Sequence, residues 1–193
     1  MTTDPARPVR RLPRAERRAQ ILEAATRAFA RAGYTATGLG DVAAEAGVTQ
    51  VLLYRHFASK SDLYRAVLDR ACTRLAEAVG TDHFDDTSLP TLLRAAAADP
   101  EGFRLLFRHA AKEPEFRDVI EGLRAGSTEV TRRHLAERVP GGPWQDWAAR
   151  LVPVVTLEAV IAWLDAGQPD PDRAAERIRQ VVHSVIEAAS RPG

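Results

Sequence analysis

Positions 47–63 read GVTQVLLYRHFASKSDL and bring Gln50, Val51, Tyr54, Arg55, His56 and Lys60 within one short stretch. A glutamine amide donates and accepts at once, which matches the edge of adenine, and an aliphatic group beside it suits a thymine methyl. A phenol, an imidazole and an ammonium are donors for phosphate oxygens. Leu53 and Phe57 are four residues apart and would fasten the segment to a core, leaving Gln50, Val51, Tyr54 and Arg55 outside. Taken singly, Tyr54 and His56 are equally good as packing residues that finish a helix. Their spacing together favours a surface that meets a duplex.

Such a surface needs elements to hold it, and the flanking residues supply helices throughout. Residues 14–32 place Ile21, Leu22, Ala25, Ala28 and Phe29 on one helical face. Gly33 should end that helix through a left-handed C-terminal residue. A short helix opening at Thr37 or Gly38 carries Leu39, Val42, Ala43 and Ala46, with Asp41 in its first turn, and Gly47 stops it. Thr49 is a suitable cap for a helix over 50–56. Ser59 is another, with Asp62 three residues on, for a helix running to about Val79. Two short helices hinged at Gly47 and packed on a longer one form a helix-turn-helix, whose second helix presents its N-terminal residues to a major groove.

Charge agrees with that reading. Residues 1–70 carry 12 Lys+Arg against 7 Asp+Glu, a net of +5, whereas residues 71–193 carry 15 against 19, a net of −4. A basic front on an acidic body suits a polyanion partner. Residues 1–13, with three prolines and several arginines, are expected to be a disordered basic arm. The 45% hydrophobic and 27% charged fractions are those of a globular chain. No apolar run in the sequence reaches membrane-spanning length, the N-terminus lacks the apolar stretch of a secretory signal, and the single Cys72 allows no internal disulfide. These features predict a cytoplasmic protein with no membrane partner.

Residues 21–69 resemble the DNA-binding region of the TetR family of bacterial transcriptional regulators. The matching elements are G-Y-x-x-T at 33–37, x-D-V-A-x-x-A-G-V at 40–48 and L-Y-R-H-F-x-S-K at 53–60. The resemblance implies an all-α chain with a three-helix DNA-binding domain and a larger helical domain for ligand binding and dimerisation. It implies repression at a palindromic double-stranded operator, relieved by a small effector. By position, Thr37, Tyr54, His56 and Lys60 would be backbone contacts, and Thr49, Gln50, Val51 and Leu52 the reading residues. Gly38 and Gly40 depart from the family pattern, which implies a less stable second helix. Val51 and Leu52 are bulkier than is usual there, so the operator cannot be borrowed from a relative.

The rest of the chain is read on its own terms. Helices are expected over 88–98, 101–112, 115–138, 144–166 and 171–189, after a polar connector at 81–90. The helix from Trp144 is apolar on two faces, Trp147, Leu151, Val154 and Glu158 on one and Val152, Thr156, Val160 and Trp163 on the other. A helix apolar on two sides is buried on two sides. Val152, Thr156, Val160 and Trp163, with Ile178, Val182 and Val185 of the last helix, are assigned to a four-helix homodimer interface. The alternative is burial of both faces within one chain. Leu75, Phe103, Phe107, Phe116, Ile120, Trp147 and Leu151 are assigned to an apolar effector cavity, or else to plain core. Glu158, in the run VPVVTLEAVIAWL, is either a ligand contact or half of a structural ion pair. Pro153 should kink this helix.

Other chemistries lack a constellation. The five histidines, at 56, 83, 109, 134 and 183, include no i, i+4 pair, and there is no glycine-rich phosphate loop or nucleophile elbow. No metal, cofactor or catalytic residue is expected. The domains implied are the arm at 1–13, the helix-turn-helix domain at 14–58 and the regulatory and dimerisation domain at 59–193. The competing readings are a DNA-binding regulator without a small effector and, more remotely, a helical enzyme.

Overall fold

A computed structural model describes residues 12–80 and 88–191 of the chain. Nearly all of the basic arm, and most of the 81–90 connector with His83, lie outside those residues. Every regular element among the described residues is helical.

The first four helices follow from their caps. Helix α1, Arg14–Ala36, is interrupted at Gly33, whose φ of 78° is open to glycine at little cost. The Thr37 hydroxyl closes this break by donating to the Gly33 carbonyl at 2.7 Å and the Ala28 carbonyl at 3.3 Å. Helix α2, Leu39–Glu45, begins at Gly38, which has no side chain to cap with. Asp41 compensates from within, its Oδ2 accepting the Gly38 N–H at 2.8 Å. Helix α3, Gln50–Tyr54, is capped by Thr49, whose Oγ1 accepts the Leu52 N–H at 3.2 Å. Helix α4, Lys60–Val79, is capped reciprocally. Ser59 Oγ accepts from the Asp62 N–H at 3.0 Å, and Asp62 Oδ2 from the Ala58 N–H at 3.1 Å.

Helices α5, Ser88–Ala98, and α6, Pro100–Arg104, meet at Asp99, whose Oδ1 accepts the Gly102 N–H at 2.9 Å. The single helix expected over 101–112 changes winding instead. A π turn, Leu105–His109, follows α6, then tight 3₁₀ turns at Ala110–Lys112 and Pro114–Phe116. Helices α7, Arg117–Leu135, α8, Pro143–Asp165, and α9, Pro171–Ser190, complete the chain. No residue of α8 leaves helical geometry at Pro153.

Two apolar cores result. The first joins α1, α2, α3 and the first three turns of α4 to residues 105–120, so Phe116 and Ile120 pack beneath the N-terminal helices. The second gathers α5, the end of α7, α8 and α9. Here the face assignment on α8 is corrected. Val152, Thr156, Val160 and Trp163 are buried inside the single chain with Ile178 and Val182, and Val185 packs partly buried against them. The Trp163 indole N–H is satisfied internally by the Pro169 carbonyl at 2.8 Å. The outward face is the other one, with Val154 50% and Trp147 40% exposed, and Glu158 exposed with them rather than buried. Periodicity alone could not choose, because both faces are apolar. Contrary to the expectation that no apolar run reaches membrane-spanning length, α8 is long and apolar enough to cross a membrane by length and composition. Its hydropathy is accounted for by its place in the second core, packed on α7 and α9.

Candidate nucleic-acid interface and effector cavity

Helix α3 turns its reading residues outward. Leu53 and Phe57 are buried beneath it, whereas Gln50 and Arg55 are exposed, Val51 is 66% exposed and Tyr54 53% exposed. Leu52 is half-buried, and Thr49 is exposed with its hydroxyl engaged as the cap. An exposed valine beside an exposed glutamine at a helix N-terminus gains nothing from water and suits a groove of base edges.

His56 sits half-buried at the end of this segment. Burial, then the positive charges of Arg14, Arg18 and Arg17, hold its imidazole below the ordinary histidine range, so it is neutral at pH 7. The first two turns of α1 thus bring three guanidinium groups near His56, with Arg18 stacked 4.9 Å above the Phe57 ring. Sequence reasoning counted these arginines toward the net charge but did not place them. Their signal was the run RAERR at 14–18.

Two expected backbone contacts are differently placed. The Thr37 side chain is 2% exposed and donates inward, so its hydroxyl cannot meet DNA. Lys60 Nζ lies 4.5 Å from the centre of the Tyr34 ring and donates to the Thr35 carbonyl at 3.3 Å. The ammonium is therefore already held at the junction of α1 and α4, beside α3.

A seam ties this region to the rest of the chain. Arg65 pairs with Asp118 at 2.9 Å and donates to the Glu115 carbonyl at 3.2 Å. The Glu115 carboxylate accepts from Tyr34 and Ser61. Beneath it Phe29, Tyr34, Tyr64 and Phe116 form an aromatic cluster, with Tyr64 and Phe116 centred 4.6 Å apart.

A cavity of about 490 Å³ opens between α4, α5, α7 and α8. Its walls are mainly apolar, from Leu75, Phe107, Leu123, Val130 and Leu157. The hydroxyls of Ser127, Thr131 and Thr156 also reach it, but each donates to a carbonyl one turn back, at 2.8–2.9 Å, and faces the cavity as an acceptor only. Of the residues assigned from sequence, Leu75 and Phe107 line this space. Phe103 lines a second cavity of about 330 Å³, which shares Leu75 as a wall. Phe116 and Ile120 belong to the first core, and Trp147, Leu151 and Glu158 line neither cavity. Among the lining residues missed are Ala76 and Val79 on α4, Leu92 on α5, Pro153 and Leu157 on α8, and, on α7, Gly122, Gly126 and Ser127. A search for large apolar side chains passes over those on α7, yet two glycines four apart inside a helix lower its propensity and mark a face kept open.

Cys72 is half-buried, and burial raises its thiol to about 11, which suits a packed residue and not a reactive one.

Comparison with known proteins agrees with this architecture. Residues 21–67 match the family described as bacterial regulatory proteins, tetR family. The chain is 33% identical over 180 residues to the HTH-type transcriptional activator FasR of Mycolicibacterium smegmatis, covering 86% of this chain and 81% of that one. It is 47% identical over 77 residues to an HTH-type transcriptional repressor of Mycobacterium tuberculosis, covering 39% of this chain and 41% of that one. Among solved structures, a TetR-like transcriptional regulator from Rhodococcus sp. RHA1 superposes with a TM-score of 0.77 at 23% identity, over 89% of this chain and 96% of that one. The outward reading helix, the basic flank and these likenesses lead to one conclusion: the chain belongs to the TetR family of bacterial transcriptional regulators and is a DNA-binding protein rather than an enzyme.

Proposed function

We propose that this chain is a homodimeric repressor that binds a palindromic operator in the cytoplasm and is released by a small apolar or amphipathic effector. The observation that carries the reading is Gln50 and Val51 standing free at the start of α3 above a buried Leu53 and Phe57. Gln50, Val51 and Leu52 read bases, while Tyr54, Arg55, His56 and Lys60 meet phosphates, joined by Arg14 and Arg18. The DNA-binding domain is residues 14–58 and the regulatory domain 59–193, with α4 shared structurally between the two cores.

Coupling is a population shift: an effector that prefers the DNA-incompetent arrangement draws the chain toward it. Two routes run from the cavity to α3. Helix α4 lines the cavity at Leu75, Ala76 and Val79 and begins beside α3 at Lys60. The π turn lines it at Phe107 and leads through the 3₁₀ turns to Glu115 and Phe116 at the seam. A π turn sits one residue away from regular winding, so it supplies a local two-state element.

Activation is the second reading, because a relative matched over 86% of the chain is named an activator. Single-round transcription across a genomic fragment bound by the purified protein separates the two. Fewer transcripts, restored by effector, support repression. More transcripts establish activation, and specific binding that alters no transcript overturns both.

A further inference from the structure

The larger cavity is long, and its two ends differ. Its wall on α7 extends from Gly122 to Arg133, a run of unbroken helix about 16 Å in length. At the Gly122 end, Phe107 and Leu123 line it and pack against the first core, which carries the N-terminal helices. At the other end Val130 and Arg133 line it, just before α7 enters the second core at Leu135.

Charge is confined to that second end. Among the described residues Glu129 and Arg133 are the charged members of the lining, and both are exposed. The Glu129 carboxylate is taken by Arg132 at 2.8 Å, and Arg132 also holds Asp146 at 3.1 Å. The Arg133 guanidinium has no ion pair or hydrogen bond among the described residues. Further in, the hydroxyls of Ser127, Thr131 and Thr156 are committed to their own helices and offer an anion no donor. An anionic group buried there would lose its hydration without replacement, whereas at the rim it gains a guanidinium and keeps water. A cationic head would instead meet a carboxylate already paired and a free like charge.

We infer that this cavity takes an elongated apolar molecule with an anionic head at one end, a carboxylate or a phosphate ester, seated with the head on Arg133 and the tail against Phe107. The inference rests on the effector reading proposed above and gives that effector a charge and an orientation. The tail then presses on the π turn, Leu105–His109, which is the end of the cavity nearest the DNA-binding helices.

The test is calorimetric titration of the full chain with dodecanoate, dodecyl phosphate, dodecanol and dodecyltrimethylammonium, each below its micelle-forming concentration. The two anions should bind roughly tenfold tighter than the alcohol and the cation. Tighter binding of one anion than the other identifies the head group and supports the inference. Arg133→Ala should bring all four to similar affinity, Arg133→Lys should retain the preference for anions, and Arg133→Glu should reverse it. The position is exposed, so circular dichroism should be unchanged. A Cβ at Gly122 meets no neighbouring atom within 4 Å, so Gly122→Leu should fit, weaken long chains more than short ones and leave the preference for anions intact. Equal affinity for all four in the wild type, or an anion preference that survives Arg133→Glu, overturns the inference, while the effector reading stands on the binding itself. If none of the four binds, the inference falls, and if the uncharged dye Nile red is not taken up either, the effector reading falls with it.

Discussion

Lys60 Nζ sits 4.5 Å above the Tyr34 ring while donating to the Thr35 carbonyl at 3.3 Å. A cation in the first turn of a helix is opposed by the macrodipole, and here the ring face and the carbonyl offset that cost. The pairing also pins the break in α1 to the start of α4, next to α3. Phosphate contact by Lys60 must compete with, or share, these partners.

The first expectation follows from that arrangement. Lys60→Ala should weaken binding to all duplexes about equally and lower the slope of log K against log salt by about 2 per dimer, one phosphate contact being lost from each protomer. Stability should fall by about 0.5–1 kcal/mol from the lost ring contact. His56 is neutral at pH 7, so His56→Gln should leave the slope unchanged at pH 7.5. An unchanged slope for Lys60→Ala would confine that residue to its structural role.

At the reading end of α3, Gln50→Ala should cost about 1–3 kcal/mol at one base pair per half-site and relax preference there. Binding to a panel of operators, each altered at one position, checks this. A uniform loss across the panel would make Gln50 a backbone contact.

Gly126 offers a test of the cavity. A Cβ built there meets no neighbouring atom within 4 Å, and the residue lines the apolar space. Gly126→Leu should fill part of the cavity and raise helix stability by up to about 1 kcal/mol. Binding of the amphipathic dye 1-anilinonaphthalene-8-sulfonate should drop while the melting temperature holds or rises. Dye binding equal to wild type would mean that uptake occurs elsewhere.

Glu45 supplies a pH test. It accepts from Arg27 at 2.8 Å and Arg31 at 2.6 Å, and these hydrogen bonds hold its carboxyl below the ordinary range. Asp118 and Asp165 are lowered in the same way, by Arg65 and by Arg104 with Arg108. For a lowered acid, the stability is fully present above the unfolded pKa, about 4 for these groups, and is lost as pH falls through the folded value. Urea midpoints should therefore hold steady from pH 7 to about 5 and fall below it. Glu45→Gln should lower the neutral midpoint and flatten the acid limb. An acid limb as steep as wild type would remove Glu45 from the linkage.

The legible part of the fold was local. Gly33, Gly47, Thr49 and Ser59 act through their own backbone geometry or a hydrogen bond three residues away, so sequence reading located the breaks and caps of α1 to α4. Leu53 against Gln50 and Val51 followed from helical spacing for the same reason. The tertiary choices were less legible. Two apolar faces on α8 are equivalent in sequence, and only the packing of Ile178 and Val182 decides that Trp163 points inward. Phe116 was assigned to the cavity because its residue type fits one, but the π turn before it changes the winding and carries it under Tyr34 and Tyr64. The cavity wall on α7 is built from glycine and serine, whose contribution is the space they leave.

The most direct measurement is selection of bound duplexes from a random pool by the purified chain, followed by sequencing. The account predicts an inverted repeat whose half-sites are spaced by about one or two helical turns, 34–36 Å each, bound by an even number of protomers. Repeating the selection with Gln50→Ala should lose preference at one symmetric pair of positions and no others. Enrichment of an asymmetric site, or of the same site with undiminished preference after Gln50→Ala, would contradict the claim that α3 reads a palindromic operator as part of a dimer.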